Sequence, residues 1–352
     1  MNADKQKIVL GCYTDAAHPN GLKVLELDES SGTMSVLAEY PVSNALYQAL
    51  SPDGKYIYSC TGEGLAAFRC PGAGVSGQDM LDTCDEVKLG NCVCHVAAMP
   101  DGARVVFADY LGGFAGSVEV EDGRFGQVVK HQHSGCGPNL PRQSSAHCHQ
   151  AIPVPGGKGY CVVDLGLDQI VEYPSGRVFR TSPAGAGPRH LLFHPNGRLA
   201  FLVYELGNLV SSLSWSPADG FRTLDTLSTV IRDAEAQGGS PKPILNTDSS
   251  HIAAAIRFTP DMKRIVVSNR GENSLVVFDF DETSGKLAFK ARTMLAGDWP
   301  RDFIFATDSL SLVACERSGE VLGLNYEKDT GVFKTVARLG GLFRPVSFLK
   351  RS

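Results

Sequence analysis

Seven strand-like runs in this chain end in short polar signatures: Gly11-Cys12-Tyr13-Thr14, Ser59-Cys60-Thr61, Ala108-Asp109-Tyr110, Val163-Asp164-Leu165, Tyr204-Glu205-Leu206, Asn269-Arg270 and Cys315-Glu316-Arg317. Counted from Gly11, Cys60, Asp109, Asp164, Glu205, Asn269 and Glu316, the intervals are 49, 49, 55, 41, 64 and 47 residues. A repeat of roughly 40 to 50 residues with about four short strands is one blade of a β-propeller. The pattern predicts an all-β ring of seven four-stranded antiparallel blades spanning residues 1–352 as one unit. Once such a ring closes, the place of every other residue follows from its position in the repeat.

Within the fuller repeats the parts keep their order. A strand of small and apolar residues is followed by a tight turn: Pro52-Asp53-Gly54, Pro100-Asp101-Gly102, Pro155-Gly156-Gly157, Pro195-Asn196-Gly197 or Pro260-Asp261. These residue types preset or tolerate turn dihedrals between hydrophobic runs. An alternating third strand follows, as in Gln169-Ile-Val-Glu-Tyr173 and Ser274-Leu-Val-Val-Phe278, then a Gly-containing turn and a fourth strand. The first repeat lacks its innermost strand and begins at Ile8-Val9-Leu10-Gly11. Arg344-Pro-Val-Ser-Phe348 echoes Pro188-Arg-His-Leu-Leu-Phe193 and Pro300-Arg-Asp-Phe-Ile-Phe305, which open other repeats. The last strand should therefore dock beside the first, so that both termini share one blade and no sheet edge is left open.

In such a meander the start of the first strand and the end of the second lie at the same mouth of the ring. Arg189 precedes Pro195 by six residues and Glu205 follows it by ten, which at about 3.3 Å per residue sets them at similar heights. The same register pairs His149 with Asp164 and Arg301 with Glu316, and brings Arg270 to this end. His147, His149, Arg189, His190, Arg270 and Arg301 are thus expected around one mouth, with Asp164 and Glu205 among them. The loop 131–142 falls on the same face, where Arg142-Gln143 either lines the rim or anchors the loop. The insertion 228–250, with Gly238-Gly239, Pro241 and Pro243, is a candidate lid. Asp164 has a second reading as the cap of its Asp-Leu-Gly turn, and the Arg189–Glu205 and Arg301–Glu316 pairs a second reading as cross-strand ties. His194 falls at a turn on the opposite face, and His131 and His133 in or beside a loop.

A basic mouth on a chain of net charge −5 favours a small anionic ligand; the overall charge argues against nucleic acid. No run approaches the ~20 apolar residues of a membrane span, and Met1–Lys5 has no apolar signal core. The expectation is a cytoplasmic protein, monomeric or homodimeric. Ten cysteines read as reduced, mostly buried thiols. Cys92-Val-Cys94-His95 and His147-Cys148-His149 raise a metal question, but their separation is not a standard zinc spacing; neither metal nor cofactor is expected.

Gly135-Cys-Gly-Pro138, Arg142-Gln143, His147-Cys-His149, Asp164-Leu-Gly-Leu-Asp168, Gly185-Ala-Gly-Pro-Arg-His190 with Glu205, Ser268-Asn-Arg-Gly271 and Pro300-Arg-Asp-Phe303 together resemble the lactonase family of seven-bladed propellers. That family includes propeller-type bacterial 6-phosphogluconolactonases and fungal carboxymuconate-lactonising enzymes. The resemblance implies a site built from the His147/His149 pair, Arg189, Glu205 and Arg270. Two departures stand out. Cys148 and Gln150 replace a common Pro and Ser, and Cys315-Glu316 replaces Asn-Gln, which adds a carboxylate near Arg301.

On this resemblance the expected activity is metal-free hydrolysis of a sugar-acid lactone, 6-phospho-D-glucono-1,5-lactone above others. His149 or Glu205 serves as base, Arg189 clamps the oxyanion, and Arg270 with Arg301 takes the phosphate or carboxylate. His147, Asp164, His190 and Arg142 complete the substrate contacts. The alternatives are a carboxymuconate-type or other sugar lactonase using the same site, a sugar-acid binding protein, and a non-enzymatic propeller scaffold. With only two Trp, at 215 and 299, the chain lacks the Trp-Asp signatures of such scaffolds.

Overall fold

The seven polar signatures mark the ends of seven second strands. In the computed structural model, which describes residues 5–70, 81–231 and 250–350, these strands are β1 (Lys5–Cys12), β5 (Tyr56–Cys60), β8 (Arg104–Asp109), β12 (Tyr160–Asp164), β16 (Leu199–Tyr204), β20 (Arg264–Arg270) and β24 (Leu310–Cys315). Each is paired antiparallel between an inner and an outer neighbour. The inner strands are β4 (Gln48–Leu50), β11 (Cys148–Pro153), β15 (Pro188–Phe193), β19 (Ile252–Phe258) and β23 (Pro300–Phe305), together with β27 (Pro345–Lys350) and the second half of β7 (Asp82–Ala98). The long β7 pairs with β6 (Gly62–Arg69) through its first half and with β8 through its second. It is the outer strand of one blade and the inner strand of the next, so two blades are joined in one seven-stranded sheet.

Closure is as the repeat predicts. β27 runs antiparallel to β1, with Leu10 opposite Phe348 and Gly11 opposite Ser347, and the sheet continues through β2 (Leu22–Asp28) to β3 (Met34–Tyr40). Gly11 is required here by close approach. A Cβ on it would lie 1.9 Å from the Ala45 carbonyl oxygen and 2.4 Å from Ser347 Oγ.

The sequence pattern explains the layering. Second strands such as β5, β12, β16 and β24 are buried along their whole length, because both faces of each inner sheet meet a neighbouring blade. They therefore read as continuous apolar runs. Outer strands are wetter: β3 alternates between covered and exposed residues, the period-2 pattern of a sheet with one wet face, and β10 (Arg124–Gln132) has no buried residue. Seven apolar clusters fill the gaps between consecutive blades. One joins Ile8, Leu10 and Phe348 to Leu312 and Ala314 across the closure, and another joins Leu202 and Tyr204 to Cys161 and Val163. Among the described residues no helix occurs.

Register departs from expectation at one repeated place. Near the mouth, the inner strands carry one extra residue: Cys148 faces Asp164 but Gln150 faces Val163; Pro188 faces Tyr204 but His190 faces Val203; Pro300 faces Cys315 but Asp302 faces Ala314. The bulged residues are His149, Arg189 and Arg301. A bulge frees a side chain from the alternating pattern and re-aims it, and in these three blades the re-aimed side chain is a mouth residue.

Candidate active site

Glu205, the residue after β16, is the electrostatic centre of the mouth. Its side chain is 5 % exposed and accepts from three guanidinium groups. Arg189 Nε reaches Oε2 at 3.0 Å from the same blade, and Arg270 Nη2 reaches Oε2 at 2.8 Å from the next. Arg142 Nη2 reaches Oε1 from the loop before β11. Burial pushes the carboxyl pKa up, but Arg270, Arg189 and Arg142 outweigh it and hold Glu205 ionised well below the usual carboxylate range. Backbone carbonyls fix the arginines further: Arg189 Nη1 donates to Ala254 O at 2.7 Å and Arg270 Nη2 to Ala253 O at 2.9 Å. Arg189 itself is pulled down to about 9 by burial and by Arg270, and stays a cation at neutral pH.

His149 lies beside this cluster. Its Nε2 is 3.9 Å from Glu205 Oε2, and its ring meets Tyr110 edge-on at 5.6 Å and His190 at 5.3 Å between centroids. Burial, followed by the charge of Arg189, keeps the imidazole neutral well below its ordinary range. His149 Nδ1 and Arg270 Nε are both buried with no hydrogen-bond partner among the described residues. Two unsatisfied polar atoms at one mouth are a costly arrangement unless a ligand completes it. His147 stacks on Tyr110 at 4.4 Å and its Nδ1 sits 2.9 Å from the Tyr110 carbonyl oxygen, so it braces the mouth from one side.

The mouth has a second carboxylate. Glu316 accepts from Arg301 at 3.1 Å and from Arg344 at 2.5 Å. Both guanidiniums lie against the Tyr13 ring, at 5.2 and 4.1 Å. Across the rim, Trp299 carries Arg317 on its face at 3.3 Å, with Arg270 at 5.7 Å. Arg142, Arg189, Arg270, Arg301 and Arg344 thus face Glu205 and Glu316, an excess of positive charge suited to an anion. His190 lines a cavity of about 430 Å³ together with Tyr47, His95, Gln150 and Arg257. There His95 is pushed down to about 3 by burial and by Arg257, and His190 meets His95 and Tyr47 edge-on at 5.9 and 6.1 Å between centroids, which sets His190 in the wall of this cavity.

Asp164 departs from expectation. It is fully buried and does not meet His149, because the bulge at His149 sets Cys148 opposite it. Its Oδ2 is 2.7 Å from His133 Nδ1, and its Oδ1 accepts from the backbone amides of His147 and Leu167. The substrate contact expected of Asp164 gives way to its reading as a turn cap. Gln143 anchors its loop through Leu165 O and Asn139 N, whereas Arg142 reaches the cluster. The candidate lid lies largely outside the described residues, at 232–249.

Sequence reasoning missed the aromatic braces Tyr13 and Tyr110, the rim residues Trp299, Arg317 and Arg344, and His133. A signal was available for the two tyrosines, since each occupies the place just after the last residue of a second strand, Cys12 of β1 and Asp109 of β8.

Comparison with known proteins agrees with this fold. The family model described as lactonase, 7-bladed beta-propeller, matches residues 7–345. A 6-phosphogluconolactonase of Bacillus subtilis is 30% identical over 338 residues, covering 92% of this chain and 91% of its own. An uncharacterised protein of Lactococcus lactis is 32% identical over 343 residues, covering 93% and 94%. The periplasmic gluconolactonase of Pseudomonas aeruginosa superposes with a TM-score of 0.86 over 99% of both chains at 24% identity, a likeness of fold. The chain belongs to the lactonase family of seven-bladed β-propellers.

Proposed function

We propose that this protein hydrolyses the ring ester of a phosphorylated sugar-acid lactone, 6-phospho-D-glucono-1,5-lactone, to the open acid. The observation that carries the reading is the Nδ1 of a neutral His149, without a hydrogen-bond partner among the described residues, beside arginines already fixed by Glu205. Glu205 is too strongly ion-paired to accept a proton and acts as the positioning residue that holds three cations in place. His149 is the base. It takes a proton from water as the water oxygen attacks the lactone carbonyl carbon. The carbonyl oxygen gathers negative charge against Arg189, whose guanidinium is held in place by Glu205 and the Ala254 carbonyl. On collapse the bond to the ring oxygen breaks, and His149 returns the proton to that oxygen as it becomes a hydroxyl. General-base help is worth roughly 10² to 10⁴ in rate, and one oxyanion donor about 3 kcal/mol.

A strongly depressed imidazole is a weak base when the site is empty. An anionic substrate beside Arg270 and Arg301 offsets the charges that depress His149 and raises its basicity on binding. That requirement favours a phosphorylated or carboxylated substrate over a neutral lactone. The name of the Bacillus subtilis relative supports the phosphorylated sugar. The test follows acid release from 6-phosphogluconolactone, glucono-1,5-lactone and a carboxymuconolactone, each against its spontaneous rate. Preference for the phosphorylated substrate supports the reading; no acceleration over buffer overturns it, and preference for the muconolactone assigns the same site to that chemistry.

A further inference from the structure

Behind the mouth, three side chains of different chemistry converge without serving it. His133 follows β10, Cys148 opens β11 and Asp164 closes β12. His133 Nδ1, Cys148 Sγ and Asp164 Oδ2 all lie within 4.8 Å of one another, and all three residues are buried. The separations are 2.7 Å for nitrogen to oxygen, 3.4 Å for sulfur to nitrogen and 4.0 Å for sulfur to oxygen. Around a tetrahedral zinc ion with the usual bond lengths, such ligand atoms stand about 3.3 to 3.6 Å apart. Opening the first distance and closing the third by about half an ångström, a side-chain adjustment, reaches that geometry.

We infer that His133, Cys148 and Asp164 form a binding site for a divalent transition-metal ion, zinc or cobalt in type, that ties the loop after β10 to the blade carrying His147 and His149. The donor set of thiolate, imidazole and carboxylate suits such borderline ions better than calcium or magnesium. Charge also balances, since one thiolate and one carboxylate neutralise a dication at a buried site, and a water molecule can take the fourth position. Without metal, Nδ1–H of His133 donates to Asp164. With metal, the Cys148 thiol proton leaves to solvent and the Nδ1 proton is replaced by one on Nε2. Tyr173 Oη, 3.0 Å from Nε2, can donate in the first state and accept in the second, as outer partners of metal-bound histidines do. Asp164 stays oriented throughout, because its Oδ1 is held by two backbone amides.

The test unfolds the full-length protein in guanidinium with a chelator, refolds it with one equivalent of Co²⁺ and records its absorption. Expected are a thiolate-to-cobalt charge-transfer band at one ion per chain, its loss on adding Zn²⁺, and a Tm that rises with Zn²⁺ because the ion binds only the folded state. The band should survive Cys136→Ser, which alters an exposed thiol, and vanish in Cys148→Ser. If Cys148→Ser does not fold, Asp164→Asn and His133→Gln provide the comparison, each expected to weaken Co²⁺ binding at least tenfold. A refolded wild type without the band overturns the inference, as does a band that persists in Cys148→Ser or disappears in Cys136→Ser.

Discussion

Arg270 Nη2 crosses from one blade to the Glu205 carboxylate of the preceding blade, with 2.8 Å between the heavy atoms. Arg189 meets the same oxygen at 3.0 Å. One buried carboxylate thus sets the position of guanidiniums drawn from different repeats, and the geometry of the mouth depends on it.

Glu205→Gln keeps the shape and removes the charge. The arginines then repel one another without a counter-ion, and breaking a buried pair in this way costs about 3 to 5 kcal/mol. Urea unfolding should show a loss of that order, and kcat/KM should fall at least a hundredfold. An unchanged midpoint would mean that solvent screens the cluster.

Stability should also depend on acid through the same residue. The folded-state pKa of Glu205 is depressed, so its contribution is fully present above the unfolded value near 4.5 and is lost as pH falls through the folded value. Glu316 is depressed as well: burial pushes it up, but Arg301 and then Arg344 outweigh burial. Between pH 6 and pH 3, the Tm of the wild type should fall more steeply than that of Glu205→Gln. Parallel curves would remove Glu205 from the account.

Arg301 and Arg344 share Glu316, yet only Arg301 sits in a bulge that turns it into the mouth. Arg301→Ala should raise KM for the phosphorylated lactone by about tenfold or more, the scale of one lost charge-assisted hydrogen bond, and change KM for unphosphorylated gluconolactone little. Equal effects on both substrates would show that Arg301 does not read the phosphate.

Ring closure can be tested away from the chemistry. Gly11→Ala places a methyl group against the Ala45 carbonyl and Ser347, so β1, β27 and the neighbouring blade must separate. Overpacking of this kind costs about 1 to 3 kcal/mol, measurable as a lower urea midpoint. A neutral result would show that the closure gives way without strain.

Much of this was legible in the amino-acid order. Glu205, Arg270 and Glu316 come at or just past the ends of second strands because the polar signatures mark where buried apolar runs stop. Arg189 and Arg301 open inner strands that share a Pro-Arg start. The partner of His149 was not legible, because a one-residue bulge changes what faces it without changing the repeat length. Arg142 and His133 were harder still: a loop carries each across a blade boundary, and loop paths have no periodicity to read. The Tyr13 and Trp299 platforms each hold one arginine of their own blade, Arg344 and Arg317, and one from a neighbouring blade, Arg301 and Arg270; the contact across blades has no local signal.

The central claim is that His149 and Arg189, forty residues apart in the chain, act together on one lactone at this mouth. The most direct measurement is the single-turnover rate of 6-phosphogluconolactone opening by the wild type, His149→Ala and Arg189→Ala, each corrected for spontaneous hydrolysis. The account predicts a wild-type rate well above background and a drop of about 10² or more in each variant. Both variants turning over as fast as an active wild type would contradict it.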